Sequence, residues 1–328
     1  MATWLQRLVA WLGRRDAEPA VGVQASLPSP SPSPSPSPAM PTSVQAAAPA
    51  VPTHATGAEG ELVLQPRFLA WLFGTRLDDP MRDSEQRLLE AFDALIASNE
   101  SLATLLPRAP AIIPQLMNSL RDERQSTGAL AQRVSRDPHL VVEVLRMANT
   151  ALAQGGAPVT EIAEAIRRVG LGGLHRAILR VVLKPMFAGH GDSLSARCAE
   201  RLWLHSEAKA EACQQEAQAR GRDPFEGYLA GLMHNVGWTA ALRALDRLEP
   251  RAPAPMSLAF AAAVQARSDT LFARLAASWQ LTDGLTALAA ELQLHGLAQV
   301  RSALGQALRS ADERATLVVL GAASSAAR

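Results

Sequence analysis

The sequence predicts an all-α protein: a multi-helical domain preceded by a short amphipathic N-terminal segment and a Pro/Ser-rich linker. Three observations predict it. From about residue 61 onward, apolar residues recur at three- and four-residue spacing. Helix starts are marked where an N-capping aspartate precedes a proline, at Asp137-Pro138 and Asp223-Pro224. The period-2, β-branched runs that a sheet requires are absent.

The elements follow in order. Residues 1–15 set Trp4, Leu5, Leu8, Trp11 and Leu12 at helical spacing beside Arg7, Arg14 and Arg15, a basic amphipathic segment. It is too short to be stable alone, so it docks on a membrane surface, on a partner or on the chain's own core. Residues 16–60 form a disordered Pro/Ala/Ser-rich linker whose alternating PSPSPSPSPSP favours an extended polyproline II spacer. Residues 61–105 are a helical extension. Within it, Asp83 opens a helix of about five to six turns with Leu88, Leu89, Phe92, Leu95 and Ile96 on one face. From residue 107 the pattern gives roughly ten to twelve short and medium helices, with Gly170 and Gly221 at C-terminal stops. Arg167, Arg168, Arg176 and Arg180 read as a solvated face. Residues 296–328 carry an apolar stripe through Val300, Leu304 and Leu308, which packs on the core or makes a dimer contact.

Composition narrows the class. A chain of 328 residues with 48% hydrophobic content can bury one large core or two smaller ones. A formal charge of +1 is not the basic balance by which a nucleic-acid binder neutralises phosphates, so nucleic acid is not an expected partner. Lysine occurs only at Lys184 and Lys209, among many arginines; this reads as genome composition and receives no weight. Cys198 and Cys213 match no zinc spacing, and their scarcity fits a reducing cytoplasm. Gln6 and Arg7 interrupt the N-terminal apolar run, so an export leader is not expected, and no run reaches the roughly 20 apolar residues that span a bilayer.

Five blocks succeed one another with short gaps: LPRAPAIIPQLMNSLRDE at 106–123, SRDPHLVVEVLRMANTAL at 135–152, PVTEIAEAIRRVGLGGLHRAIL at 158–179, LWLHSEAKAEA at 202–212 and FEGYLAGLMHNVG at 225–237. The succession resembles the HDOD family, the HD-related output domains of bacterial signal transduction, over residues 106–295. The resemblance implies an all-helical fold related to the HD metal-dependent phosphohydrolases. In those enzymes a histidine on one helix, a His-Asp pair on a second and a later aspartate hold a divalent metal, whose bound water attacks phosphorus. The matching positions here are His205, His234 and Asn235, so an amide stands where the pair has its carboxylate. A neutral amide is a poorer ligand for a hard cation. Asp269 is followed by Thr270 where many members carry Asp-His, and Leu294-His295 stands where they carry His-His.

At most His205, His234, Asp269 and His295 remain as candidate ligands, whereas a catalytic metal needs about three convergent ligands and an open position. The expectation is therefore no catalytic residue, no bound metal and no cofactor. His205 lies one turn from Leu202 and from Ala208 or Lys209, and should face another helix as a neutral ring. With His234 and Asn235 it is expected to form a hydrogen-bonded cluster that holds two helices in register. Asn149, a poor helix former near a helix end, should fix the following turn. Trp203 joins Asn149, His205, His234 and Asn235 as a structural or binding candidate. The expected function is a non-catalytic regulatory or scaffold module that binds signalling proteins or a small ligand, in the cytoplasm or at the inner membrane surface. The alternatives are a metal-dependent cyclic-nucleotide or cyclic-dinucleotide phosphodiesterase, and a peripheral adaptor held by residues 1–15.

Overall fold

The computed structural model describes residues 58–78, 80–98, 104–105, 127–150, 158–249, 256–279 and 281–326. The amphipathic segment 1–15, nearly all of the linker and the block at 106–123 lie outside these. Helix α1 spans Ala58–Phe73, beginning inside the stretch read as linker. It is followed by β1 (Leu77–Asp78), α2 (Asp83–Ala97), α3 (Thr127–Val134), α4 (Pro138–Thr150), α5 (Ile162–Phe187), α6 (Leu194–Ala219), α7 (Pro224–His234) and α8 (Val236–Leu248). Then come β2 (Met256–Ser257), α9 (Leu258–Trp279), α10 (Asp283–His295), a 3-10 turn at Leu297–Gln299 and α11 (Ala303–Ala326). The two strands form one short parallel bridge, and among the described residues everything else that is regular is helical.

Helix α6 is the axle. It packs against α7 and α11, and also touches α1, α5 and α8. Its buried stripe runs Leu194, Cys198, Leu202, His205, Lys209, Ala212, Cys213 and Ala217, at the three- and four-residue spacing of one helical face. A histidine and a lysine thus stand inside an otherwise apolar seam. Ser193 caps the helix by accepting from Ala196 N, and Asp246 of α8 accepts from Leu194 N (2.8 Å) and Ser195 N (3.2 Å). At the other end Gly221 takes φ +68°, and Gly221 N and Arg222 N donate to Gln218 O and Ala217 O, the paired bonds of a left-handed helix stop.

Two helix pairs approach unusually closely, and each approach depends on a missing side chain. A Cβ on Gly231 of α7 would lie 2.7 Å from both Ala210 Cα and Lys209 O of α6. A Cβ on Gly237 of α8 would lie 2.1 Å from Ser268 O of α9. The glycines that flank His234 and Asn235 therefore press α7 onto α6 and α8 onto α9. The short link between α7 and α8 is left facing both partners.

Several expectations change. The helix opened at Asp83 is 15 residues long, about four turns rather than five to six. It stops where Ser98 turns extended and a polar run begins. Its first turn is tied to the start of α9, since buried Glu85 accepts from Ser257 N at 2.8 Å. The helices after residue 107 include longer ones than expected: α6 runs 26 residues, as does α5, which is broken at Gly170 (φ +67°). Arg180 does not belong to a solvated face. It is 6% exposed, because Glu143 of α4 (2.6 Å) and Glu207 of α6 bind its guanidinium. Val300, Leu304 and Leu308 are buried, with α11 laid along the chain's own α6.

Candidate functional site

The link between α7 and α8 meets α6, α9 and α11 in one buried polar cluster. His234 is the last residue of α7, and Asn235 both closes α7 and opens α8. Asn235 is fully buried, and its amide orientation follows from its partners. Its Nδ2 donates to His205 Nδ1 (3.0 Å) and Leu202 O (3.3 Å), and its Oδ1 accepts from Lys209 Nζ (2.7 Å). His205 Nδ1 is therefore an acceptor, and its Nε2–H donates to Thr316 Oγ1 of α11 at 3.2 Å.

Lys209 holds the centre. Its side chain is 1% exposed, and Nζ reaches three acceptors: Asn235 Oδ1, His234 Nδ1 (2.9 Å) and Asp312 Oδ1 of α11 (2.5 Å). An ammonium has three protons, and all three are placed. Since His234 Nδ1 accepts, the Nε2–H faces Asp269 Oδ1 of α9 across 3.5 Å without closing a hydrogen bond. Aromatic rings pack beside both imidazoles, Phe68 at 4.6 Å from His205 and Phe272 at 5.0 Å from His234.

Electrostatics follow from burial around one fixed cation. Burial and the Lys209 charge push His205 down to about 3 and His234 well below its ordinary value, so both rings stay neutral. Burial alone would raise Asp312, but Lys209, by charge and by hydrogen bond, together with the neighbouring His205 and His234 holds the carboxyl at about 2. Burial, with Asp312 nearby, pushes Asp269 up to about 7. The cluster thus carries one firm ion pair, Lys209 with Asp312, among largely neutral groups.

These donors do not fit a divalent metal as they stand. Such an ion needs lone pairs pointing at it, but His205 Nδ1 faces an amide N–H and His234 Nδ1 faces an ammonium. Among the described residues no group of three or more His, Cys, Asp or Glu gathers in the manner of a metal cage. His295 is exposed at the end of α10, beside Glu291, and takes no part in the buried cluster. Asn149 uses both ends of its amide on one backbone residue, donating to Val159 O (3.0 Å) and accepting from Val159 N (2.7 Å). Trp203 packs edge-on against Phe187 (5.3 Å), with Lys184 Nζ 5.7 Å above its ring. These two line a separate cleft of about 690 Å³ between α4, α5 and α6, together with Val142, Arg146 and Arg180.

The HDOD domain profile matches residues 106–293, more than half of the chain. The chain belongs to the HDOD family. A solved HDOD domain protein of unknown function from Geobacter sulfurreducens is 24% identical, covering 73% of this chain and 80% of its own, with a TM-score of 0.50. A Shewanella amazonensis SB2B protein, provisionally named a metal-dependent phosphohydrolase, is 19% identical over 69% of this chain and 81% of its own, with a TM-score of 0.49. An uncharacterized Treponema pallidum (strain Nichols) protein is 26% identical over 136 residues, 40% of this chain. The HDOD chain matches about a quarter of that relative's length.

Sequence reasoning brought His205, His234 and Asn235 together and missed Lys209, Asp312 and Thr316. A signal existed for each charged residue. Lys209 is one of only two lysines in an arginine-rich chain and falls on the buried stripe of α6. Asp312 continues the four-residue spacing of Leu304 and Leu308, a carboxylate on an apolar face.

Proposed function

We propose that this HDOD protein is a non-catalytic signal-transduction module, a regulatory or scaffold domain that binds a partner and performs no hydrolysis. One observation carries the reading: both inward-facing imidazole nitrogens and the Asn235 amide are already bonded to one another or to Lys209. A hydrolytic site of the HD type requires free imidazole lone pairs and a carboxylate to hold the metal that activates a water. Here these side chains tie the α7–α8 link to α6 and α6 to α11, which suits a rigid platform for recognition. The cleft beside Trp203, with exposed Val142 next to charged Arg146 and Lys184, is where the recognition surface is sought first.

The test is direct. Full-length protein supplied with Mn²⁺ or Fe²⁺ should show no turnover of cyclic nucleotides or cyclic dinucleotides above that of a His234→Ala variant. Stoichiometric metal together with hydrolysis lost on His234→Ala would reverse the assignment to an enzyme. Partner capture with the wild-type chain and with a Val142→Asp/Lys184→Glu variant tests the surface, which is refuted if both retain the same proteins.

A further inference from the structure

We propose that Lys209 is a built-in cation, standing where a divalent metal would have to lie to be reached by His234, Asn235 and Asp312. The inference is separate from what the domain binds. It rests on geometry and charge. Nζ touches an imidazole nitrogen, an amide oxygen and a carboxylate oxygen at 2.9, 2.7 and 2.5 Å, the N and O donor types that gather around a borderline or hard metal ion. The ammonium is desolvated on a side chain 1% exposed, and these three acceptors match its three protons.

Charge balance explains why the exchange is self-consistent. An aspartate at position 235 would add one negative charge; asparagine removes it. A divalent ion brings two positive charges and an ammonium only one. The two changes cancel, so Asn235 with Lys209 leaves the cluster as neutral as Asp with a metal would. Asn235 also gains something from being an amide. Its N–H group satisfies His205 Nδ1, which no carboxylate could do while ionised. Asp312 and Thr316 complete the arrangement from α11, which lies beyond the residues matched by the family.

The scarcity of lysine makes the wild-type chain testable without mutation. Reductive methylation of the folded protein should label exposed Lys184 and spare Lys209, with both labelled in urea. Neither EDTA nor Mn²⁺ should change that pattern. Equal labelling of the two lysines in the folded chain refutes the proposal, as does Mn²⁺ binding that renders Lys209 reactive. A second arm seeks a gain. The Lys209→Ala/Asn235→Asp variant opens the centre and restores the carboxylate, and should bind Mn²⁺ at least about tenfold more tightly than wild type by calorimetry. A folded double variant with no gain, or a wild type that binds Mn²⁺ equally well, overturns the idea. If the double variant does not fold, labelling and the wild-type Mn²⁺ titration decide.

Discussion

At the scale of single residues, the buried cluster behaves as a set of mutual obligations. Lys209→Met should destabilise the fold by about 3–5 kcal/mol, because Asp312 would be left as an unpaired and largely buried charge. Adding Asp312→Leu should recover most of that loss, since an ion pair replaced by apolar groups is often neutral in stability. Urea unfolding of the single and double variants measures both, and additive losses would contradict the pairing. His234→Ala should lower the thermal midpoint through loss of the Lys209 acceptor and of the Phe272 contact. Part of this was legible in the sequence. The order of the blocks located His205, His234 and Asn235, because helical spacing and motif order are local information. Lys209 and Asp312 needed the relative rotation of α6 and α11, residues 103 positions apart in the chain, which no local pattern supplies.

At the scale of elements, glycines set how far the helices can close, and two of them flank the buried cluster. Gly231→Ala forces a methyl against the α6 backbone, and overpacking of this kind costs about 1–3 kcal/mol. Gly237→Ala meets a carbonyl at shorter range and should cost more. Thermal denaturation of the two variants should rank them in that order, and a Gly237→Ala protein as stable as wild type would show that α8 and α9 can separate freely. The class and most helix starts could be read from sequence, since Asp137 and Asp223 carry their capping chemistry with them: Asp137 accepts from His139 N at 2.9 Å and Asp223 from Phe225 N at 2.8 Å. Helix ends were less legible. The α2 stop at Ser98 falls at the start of the polar run Ser-Asn-Glu-Ser, a weak signal in the sequence beside an apolar periodicity that continues in LATLL.

At the scale of the whole molecule, acid should unfold the protein through its buried histidines. Burial pushes His175 down to about 4, and burial with Lys209 pushes His205 down to about 3. An unfolded histidine titrates near 6.5, so below that pH the unfolded chain takes up protons that the folded chain refuses. Stability should therefore fall as pH drops from 6.5 toward 4. Asp269, raised to about 7, works in the opposite sense over the whole of that range but is one group against several histidines, and Asp312 joins the histidines below about 4. Urea midpoints from pH 7 to pH 4 check the net slope, which His175→Gln should make shallower. The folding unit also extends past the family match. A chain ending near residue 295 would strip Asp312 and Thr316 from Lys209 and His205 and bare the apolar seam of α6. That fragment should be insoluble or molten, as near-ultraviolet circular dichroism would report.

The balance of charge at the centre also constrains how such a site can arise. Starting from a metal-holding ancestor, Asp to Asn at position 235 alone leaves a surplus positive charge, and lysine at 209 alone sets two cations against each other. Neither single step is comfortable, so the two positions should travel together through descent. Related sequences with aspartate at the place of Asn235 should lack lysine at the place of Lys209, and lineages that interchange these residues freely would show that the two sites do not constrain each other.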